Sequence, residues 1–248
     1  MLLDGRNAVI YGGGGNVGGA VAEAFAREGA RVHLTGRSSG PIESVAGRIR
    51  DAGGEAETTI VDALDEQAVD AHADAVASRF GSLDISFNLI SHGDVLGTPL
   101  AEMSVSDFEQ PVTAAVRTMF ITTRAAARQM IRQRSGVILV FGGYGDPPRD
   151  FNIGSLQVAF QAQEALRRNL AAELGPYGVR AVTIQTSGIV DTLPEGTEQI
   201  AEGIAASTLL GRGATLADVA NAAVFAASDR AASMTGTKLN ISAGTFVD

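Results

Sequence analysis

The sequence predicts an α/β fold: one doubly wound, Rossmann-type domain with a parallel sheet of about seven strands and helices on both faces. Short runs rich in valine and isoleucine alternate with stretches of helical periodicity along the chain. A glycine-rich segment, YGGGGNVGG, joins the first such run to the first helix. No linker, repeat or change of composition divides the chain, so residues 1–248 are expected to form a single domain.

Each apolar run is justified as a strand by its β-branched residues and by the turn residues around it. The predicted strands are NAVIY (7–11), RVHLT (31–35), AETTIVD (56–62), LDISFNLI (83–90), VILVF (137–141), RAVTIQT (180–186) and KLNIS (238–242). The two longest helices are predicted over residues 105–132 and 156–174, and a flap over the substrate side is predicted over 193–212. In such sheets ligands bind at the carboxyl ends of the strands, so function is expected there.

Composition excludes several classes of function. The chain has no cysteine, which rules out disulfides, thiolate catalysis and cysteine-bound metal. Its net charge of -9 argues against nucleic-acid binding, and its three histidines lack metal-ligand spacing, so no metal is expected. No apolar run has membrane-spanning length. The first strand begins at residue 7 and leaves no room for a signal peptide, so a cytoplasmic protein that acts on a small molecule is expected.

The glycine segment is typical of a dinucleotide-binding loop. Gly12, Gly15 and Gly18 have the spacing that permits a tight turn and close approach of a pyrophosphate, and Asn16 and Val17 open the helix. The N-terminus of that helix offers free N–H groups and a positive dipole. The alternative is a turn that is merely tight. The position between a strand and a helix favours dinucleotide binding.

Two further segments bear on the cofactor. The turn after strand two, TGRSSG, has no acidic residue to accept the ribose hydroxyls of NAD(H), whereas Arg37 and Ser38 suit the 2′-phosphate of NADP(H). The alternative is that Arg37 is an ordinary solvated arginine. Asp62, after strand three, is placed to bind the adenine amino group, or alternatively to cap the helix that starts near Asp65.

With these residues placed, the chain resembles the short-chain dehydrogenase/reductase family over nearly its whole length. The similarity lies in Asp62-Ala63, in Asn88 of LDISFNLIS, in RNLAAELGPYG, and in SGIVDT, where Ser187 replaces a proline. It implies that Asp62, Ala63, Asn88, Ile189 and Thr192 contact a nicotinamide cofactor, and the residues of the TGRSSG turn favour NADP over NAD. The apolar helices around 114–130 and 156–174 imply a homodimer or homotetramer.

The family's activity rests on a tetrad of Asn, Ser, Tyr and Lys. Counting from RNLAAELGPYG and from strand five places these positions on Ala115, Gly143, Leu156 and Phe160, so all four are expected to be vacated. The loss of the tyrosine–lysine pair can be read without aligning the chain to the family. Lys238 is the sole lysine and no tyrosine precedes it by four residues, so the sequence contains no Tyr-x-x-x-Lys motif.

Loss of the tyrosine–lysine pair removes a general acid/base worth about 10²–10⁴ in rate but leaves cofactor binding possible. Three hypotheses remain open. The first is an atypical reductase acting on an activated C=C, C=N or C=O bond, with its proton supplied by water or by Tyr144 or His92 at the carboxyl edge of the sheet. The second is an inactive relative that binds a nucleotide or serves a partner subunit. The third is a non-redox reaction in an apolar pocket beside Leu156 and Phe160.

Overall fold

The fold is an α/β sandwich built on one parallel sheet, seen in a computed structural model that describes residues 1–143 and 151–247. The strands are β1 (Asn7–Tyr11), β2 (Arg31–Gly36), β3 (Glu55–Ile60), β4 (Ile85–Asn88), β5 (Gly136–Gly142), β6 (Val179–Thr186) and β7 (Thr237–Ile241). The helices are α1 (Asn16–Arg27), α2 (Ser39–Asp51), α3 (Glu66–Phe80), α4 (Val105–Gln133), α5 (Leu156–Leu174), α6 (Glu198–Ala206) and α7 (Leu216–Ala227).

The order of the strands confirms the predicted doubly wound sheet. It runs β3-β2-β1-β4-β5-β6-β7, with every described pairing parallel. The chain first adds strands outward from β1 to β3, then crosses back to place β4 on the other side of β1. This reversal creates a crevice between the carboxyl ends of β1 and β4, where ligands bind in folds of this kind.

Alternating side chains of the central strands point to opposite faces of the sheet and pack into two hydrophobic cores, one on each face. Ile10, Phe87 and Ile184 face α1, α2 and α7, while Val9 and Ile138 face α3 and α4, and all five are fully buried. Burial of both faces explains why the strands read as nearly continuous apolar runs in the sequence. The sheet is therefore a rigid platform for the loops at its carboxyl edge.

Strand β4 is shorter than the predicted run of residues 83–90. Its regular pairing ends at Asn88, because the N–H of Ile90 donates to the Asn88 side-chain oxygen at 3.1 Å instead of continuing the ladder. The chain then leaves the sheet and forms the segment that overlies the start of α5, where the N–H of Gly97 donates to the Asn152 carbonyl at 2.7 Å.

The cap of helix α3 is Asp65, not Asp62. The Asp65 carboxylate accepts from the N–H groups of Gln67 and Ala68, as an N-cap does. Asp62 is exposed, and among the residues that the structure describes it accepts a single local bond, 2.9 Å from the N–H of Leu64. The capping alternative for Asp62 is therefore wrong, and its carboxylate stays accessible at the carboxyl edge of β3.

Two buried histidines make the stability of the fold sensitive to acid. His33 on β2 and His72 on α3 are 2% and 8% exposed, and burial lowers the pKa of each to about 4. Each folded-state pKa lies below the unfolded value of about 6.5, so their stabilising effect is complete above that pH and is lost as pH falls towards 4. We expect up to about 3 kcal/mol of unfolding free energy to be lost per histidine. Urea unfolding at pH values between 7.5 and 4 measures this effect. The unfolding free energy of His72→Leu should fall less over this range than that of the wild type. An equal fall in the two proteins would contradict this.

The described residues contain neither a membrane-spanning helix nor a metal-binding cluster. Within residues 1–143 and 151–247, no helix is long and apolar enough to cross a membrane. Over the same ranges, no group of three or more histidine, aspartate or glutamate side chains could hold a metal ion.

Candidate cofactor and active site

The loop between β1 and α1 requires glycine at Gly12 and Gly18 because of contacts within the loop and with Leu89. Gly12 has a φ of +79°, and a Cβ there would lie 2.5 Å from the Leu89 carbonyl oxygen. A Cβ on Gly18 would lie 2.3 Å from the carbonyl oxygen of Gly12. Such distances are far inside van der Waals contact, so the backbone of α1 packs directly on the loop. The result is a compact turn that brings the start of α1 up to the carboxyl end of β1.

The same loop holds a constraint that the glycine spacing did not reveal. A Cβ on Gly14 would lie 2.6 Å from Cβ of Pro41 in α2, whereas a Cβ on Gly15 would meet only the Gly12 carbonyl oxygen, at 3.4 Å. The loop is also tied to β2, because the N–H groups of Gly12 and Gly13 both donate to the Thr35 carbonyl, at 3.1 and 3.0 Å. Gly15 is therefore tolerant of a side chain, while Gly14 is not.

The N-terminus of α1 is open. Its N-cap is Gly15, which has no side chain to cap the helix, and Asn16 is exposed while Val17 is half-buried. The first N–H groups of an α-helix have no partner within the helix and carry its positive dipole end. An uncapped N-terminus behind a close-packed glycine loop suits a pyrophosphate, so the residues present fit a dinucleotide.

Arg37 and Ser38 follow β2 directly and are exposed. Arg37 makes no hydrogen bond or ion pair with the described part of the chain, and Ser38 is the N-cap of α2 without a side-chain capping bond. Just after β3, Asp62 is exposed and Ala63 is 6% exposed. Within the described part of the chain, the Arg37 guanidinium and the Ser38 hydroxyl thus lie without a bonding partner at the end of the strand that neighbours the loop.

Asn88 and the Ile189–Thr192 turn, both predicted to contact the cofactor, are held in place by contacts that the sequence did not predict. Asn88 is buried at the end of β4, where its amide donates to Thr122 Oγ1 on α4 at 3.2 Å. After β6, the Thr192 hydroxyl donates to the Ile189 carbonyl at 2.8 Å, and Ile189 forms a bridge with Ala214. These contacts fix Asn88 and the Ile189–Thr192 turn on the same edge of the sheet as the glycine loop.

The centre of the edge, between β5 and α5, is filled by an aromatic ring. Phe160 is 9% exposed, and its Cε2 atom lies 2.1 Å from where a Cβ on Gly143 would be. Leu156 is half-buried one turn earlier on α5, and Ala115 on α4 is fully buried. Gly143 and Phe160 are thus complementary in shape. Tyr144 lies outside the described residues.

Replacing Gly143 by alanine is expected to destabilise the fold by about 1–3 kcal/mol, because the new Cβ displaces the Phe160 ring in a packed region. The double variant with Phe160→Leu should recover most of that loss. Urea unfolding of both single variants and the double variant forms a complete cycle. If the unfolding free energy lost in the double variant equals the sum of the losses in the two single variants, the ring does not occupy this space.

A polar pair lies beside the ring. His92, in the segment after β4, meets the Phe160 ring edge-on at a centroid distance of 6.1 Å. Its Nδ1 atom is 4.0 Å from Oδ2 of Asp94, and the side chains are 10% and 20% exposed. Burial lowers the pKa of His92 and raises the pKa of Asp94, and the attraction between the two groups opposes both effects. Asp94 was not among the predicted site residues.

Comparison with known proteins assigns the class. The profile of a family described as Enoyl-(Acyl carrier protein) reductase matches residues 14–245. The 7alpha-hydroxysteroid dehydrogenase of Escherichia coli (strain K12) is 30% identical over 246 residues, which cover 98% of this chain and 95% of that protein. The chain belongs to the short-chain dehydrogenase/reductase family.

Solved structures agree in fold. A NAD+-bound xylitol dehydrogenase has a TM-score of 0.89 and 25% identity, covering 98% of this chain and 100% of that chain. A gluconate 5-dehydrogenase from Burkholderia cenocepacia J2315, in complex with NADP and tartrate, has a TM-score of 0.85 and 23% identity, covering 98% and 96%. The seven-stranded parallel sheet is thus shared with enzymes that bind either nicotinamide cofactor.

Proposed function

We propose that this protein is an NADP(H)-dependent oxidoreductase that transfers hydride to an activated C=C, C=N or C=O bond without the family's tyrosine–lysine pair. The observation that carries the proposal is the intact cofactor side of the sheet. The glycine loop is packed so closely that Cβ atoms at Gly12 and Gly18 would collide with backbone oxygens, and it leads to an uncapped helix N-terminus. A closely packed loop that ends at an uncapped helix N-terminus is suited to the close approach of a phosphate.

The preference for NADP(H) rests on charge. Arg37 and Ser38 are exposed at the end of β2, and the turn that contains them has no carboxylate. A guanidinium without a partner in the described chain suits a phosphate, with which it forms two parallel charge-assisted hydrogen bonds. Asp62 would bind the adenine amino group, and Ala63, Asn88, Ile189 and Thr192 would line the rest of the cofactor.

The absence of the usual acid/base pair limits the substrate. The only lysine, Lys238, is exposed on β7 at the edge of the sheet, and Phe160 occupies the space next to Gly143. A bound nicotinamide would supply or accept the hydride, while the chain offers an apolar wall in place of a tyrosine. An iminium ion or a conjugated alkene needs less help from a proton donor than a simple ketone, so such acceptors are favoured.

The proposal also covers the compartment, the oligomeric state and the partners of the protein. We propose a cytoplasmic homodimer or homotetramer whose partner is a small molecule rather than nucleic acid or membrane. The net charge of -9 supports the exclusion of nucleic acid. Exposed apolar side chains on α4 and α5, such as Phe120 and Val158, support association of copies through these helices.

Single-turnover transfer of deuterium tests the redox function. Protein loaded with NADPH deuterated at C4 would be mixed separately with a cyclic iminium ion, an enone and a ketone, and the products analysed by mass spectrometry. The proposal expects one deuterium in the iminium or enone product and a much slower reaction of the ketone. The variant Arg27→Ala, which changes an exposed arginine at the far end of α1, is the matched control and should behave as the wild type.

The second candidate is an inactive relative that binds the cofactor as a structural or regulatory ligand. The observation that favours it is the fit of Phe160 against Gly143, which fills part of the space where the family holds reacting groups. In that case NADPH binds, yet no acceptor receives deuterium.

A further inference from the structure

The His92–Asp94 pair has three features that ordinary surface residues lack. Its side chains are only 10% and 20% exposed although they belong to a loop. Oδ1 of Asp94 is buried and accepts no hydrogen bond from the described residues. The imidazole turns Nδ1 towards Asp94, and Nε2 makes no hydrogen bond within the described part of the chain. A histidine with a carboxylate behind one nitrogen and a free second nitrogen is the arrangement of an oriented acid/base.

The pair lies at the place where proton transfer would be needed. The segment after β4 starts at the switch point, next to the glycine loop, since Gly12 packs on the Leu89 carbonyl. His92 contacts Phe160, which in turn packs on Gly143 at the end of β5. A dinucleotide whose pyrophosphate lies on α1 extends across the carboxyl ends of β4 and β5, so its reactive ring would lie beside this group of residues.

Packing holds the segment in this position. A Cβ on Gly154, which has a φ of +56°, would lie 2.4 Å from the Val95 carbonyl oxygen, and Gly97 bonds to the Asn152 carbonyl. The residues that follow Asp94 are therefore held against the start of α5. A purely structural histidine in a segment held in this way would be expected to satisfy Asp94 with a short bond, but Nδ1 and Oδ2 are 4.0 Å apart. Catalytic hydrogen bonds are often long before ligands bind and tighten in the complex.

We propose that His92, oriented by Asp94, is the proton carrier that replaces the missing tyrosine. The inference rests on the proposed function. When the acceptor carbon receives a hydride, the π electron pair of its C=O bond, or of the conjugated system, moves to oxygen. That oxygen takes the proton from Nε2 of the imidazolium form of His92: the N–H bond breaks, the O–H bond forms, and neutral His92 regains a proton from water. Asp94 stabilises the cation through Nδ1. In the reverse direction His92 accepts the proton of the alcohol.

Histidine NMR tests this directly, because the chain has only three histidines. His33 and His72 are buried between β2 and α3, away from the pair, and serve as internal references. In protein labelled on its histidines, saturating NADPH at constant pH should shift the His92 ring signals by more than their line width and leave the other two in place. Asp94→Asn should change the His92 signals alone. Glu102→Gln, which removes an exposed carboxylate from the same segment, should change none.

Activity gives the second readout. On an enone or ketone acceptor, whose oxygen must gain a proton, His92→Gln should lower the single-turnover rate of deuterium transfer from NADPH by about 10²-fold or more while the Kd of NADPH changes less than threefold. Bound NADPH with unmoved His92 signals, or an unchanged rate in His92→Gln, would overturn the role of His92 and leave the proposed oxidoreductase standing. Failure of NADPH to bind at all would overturn the proposed function itself, and this inference with it.

Discussion

Replacing Arg37 by glutamate is expected to weaken NADPH binding by about 100-fold and to change NADH binding by less than threefold. A charge-assisted hydrogen bond contributes about 1.5–3 kcal/mol, and each 1.4 kcal/mol corresponds to a tenfold change in affinity. The substitution also brings a carboxylate towards the 2′-phosphate, which adds repulsion. Since Arg37 is exposed and has no partner in the described chain, the fold should be unaffected.

Calorimetry with the two cofactors measures this effect. Arg27→Glu makes the same change of charge at an exposed position at the end of α1, and it should leave both affinities within threefold of the wild type. An equal loss of NADPH affinity in both variants would mean that overall charge, rather than Arg37, controls binding.

Replacing Gly12 by alanine is the second change with a large expected effect. The residue has a φ of +79°, and the added Cβ would lie 2.5 Å from the Leu89 carbonyl oxygen, so the loop must move. We expect the unfolding free energy to fall by about 2–4 kcal/mol and NADPH binding to be lost, because left-handed strain and a backbone clash act together.

The matched control is Gly47→Ala. Gly47 lies inside α2 with open space around its Cα, so alanine there should leave binding intact and raise stability by about 0.5–1 kcal/mol. Urea unfolding measures the stability of both variants, and NADPH titration measures their cofactor affinity. A Gly12→Ala protein that binds NADPH as the wild type does would show that the tight loop is not the phosphate site.

The strands and the long helices could be predicted because burial on both faces leaves a direct mark on the sequence. β1 and α5 have the predicted bounds, Asn7–Tyr11 and Leu156–Leu174, and the doubly wound order is confirmed. β4 is shorter than its apolar run because the Asn88 side chain, not the pattern of apolar residues, ends the ladder. Hydrogen bonds from a side chain to the nearby backbone compete with secondary structure. The spacing of apolar residues along the sequence gives little sign of where they form.

The site was less accessible to sequence reasoning because its parts come from distant segments. Gly14 is required by Pro41, and Gly143 by Phe160; neither pairing has a signal in the spacing of residues. The geometry of the pair, with the Asp94 carboxylate 4.0 Å from Nδ1 of His92, is visible only in the structure. The position of Asp94 two residues after that histidine was a usable signal, since a carboxylate near a histidine is a common orienting partner.

Titration of the wild-type protein with NADPH and with NADH, followed by nicotinamide fluorescence and calorimetry, tests the central claim most directly. The account predicts saturable binding of both, with NADPH at least tenfold tighter, as expected for one additional charge-assisted contact at Arg37. Absence of binding for either cofactor at millimolar concentration would contradict it. The glycine loop would then be only a tight turn between β1 and α1, and the protein would have to serve a function that needs no nicotinamide.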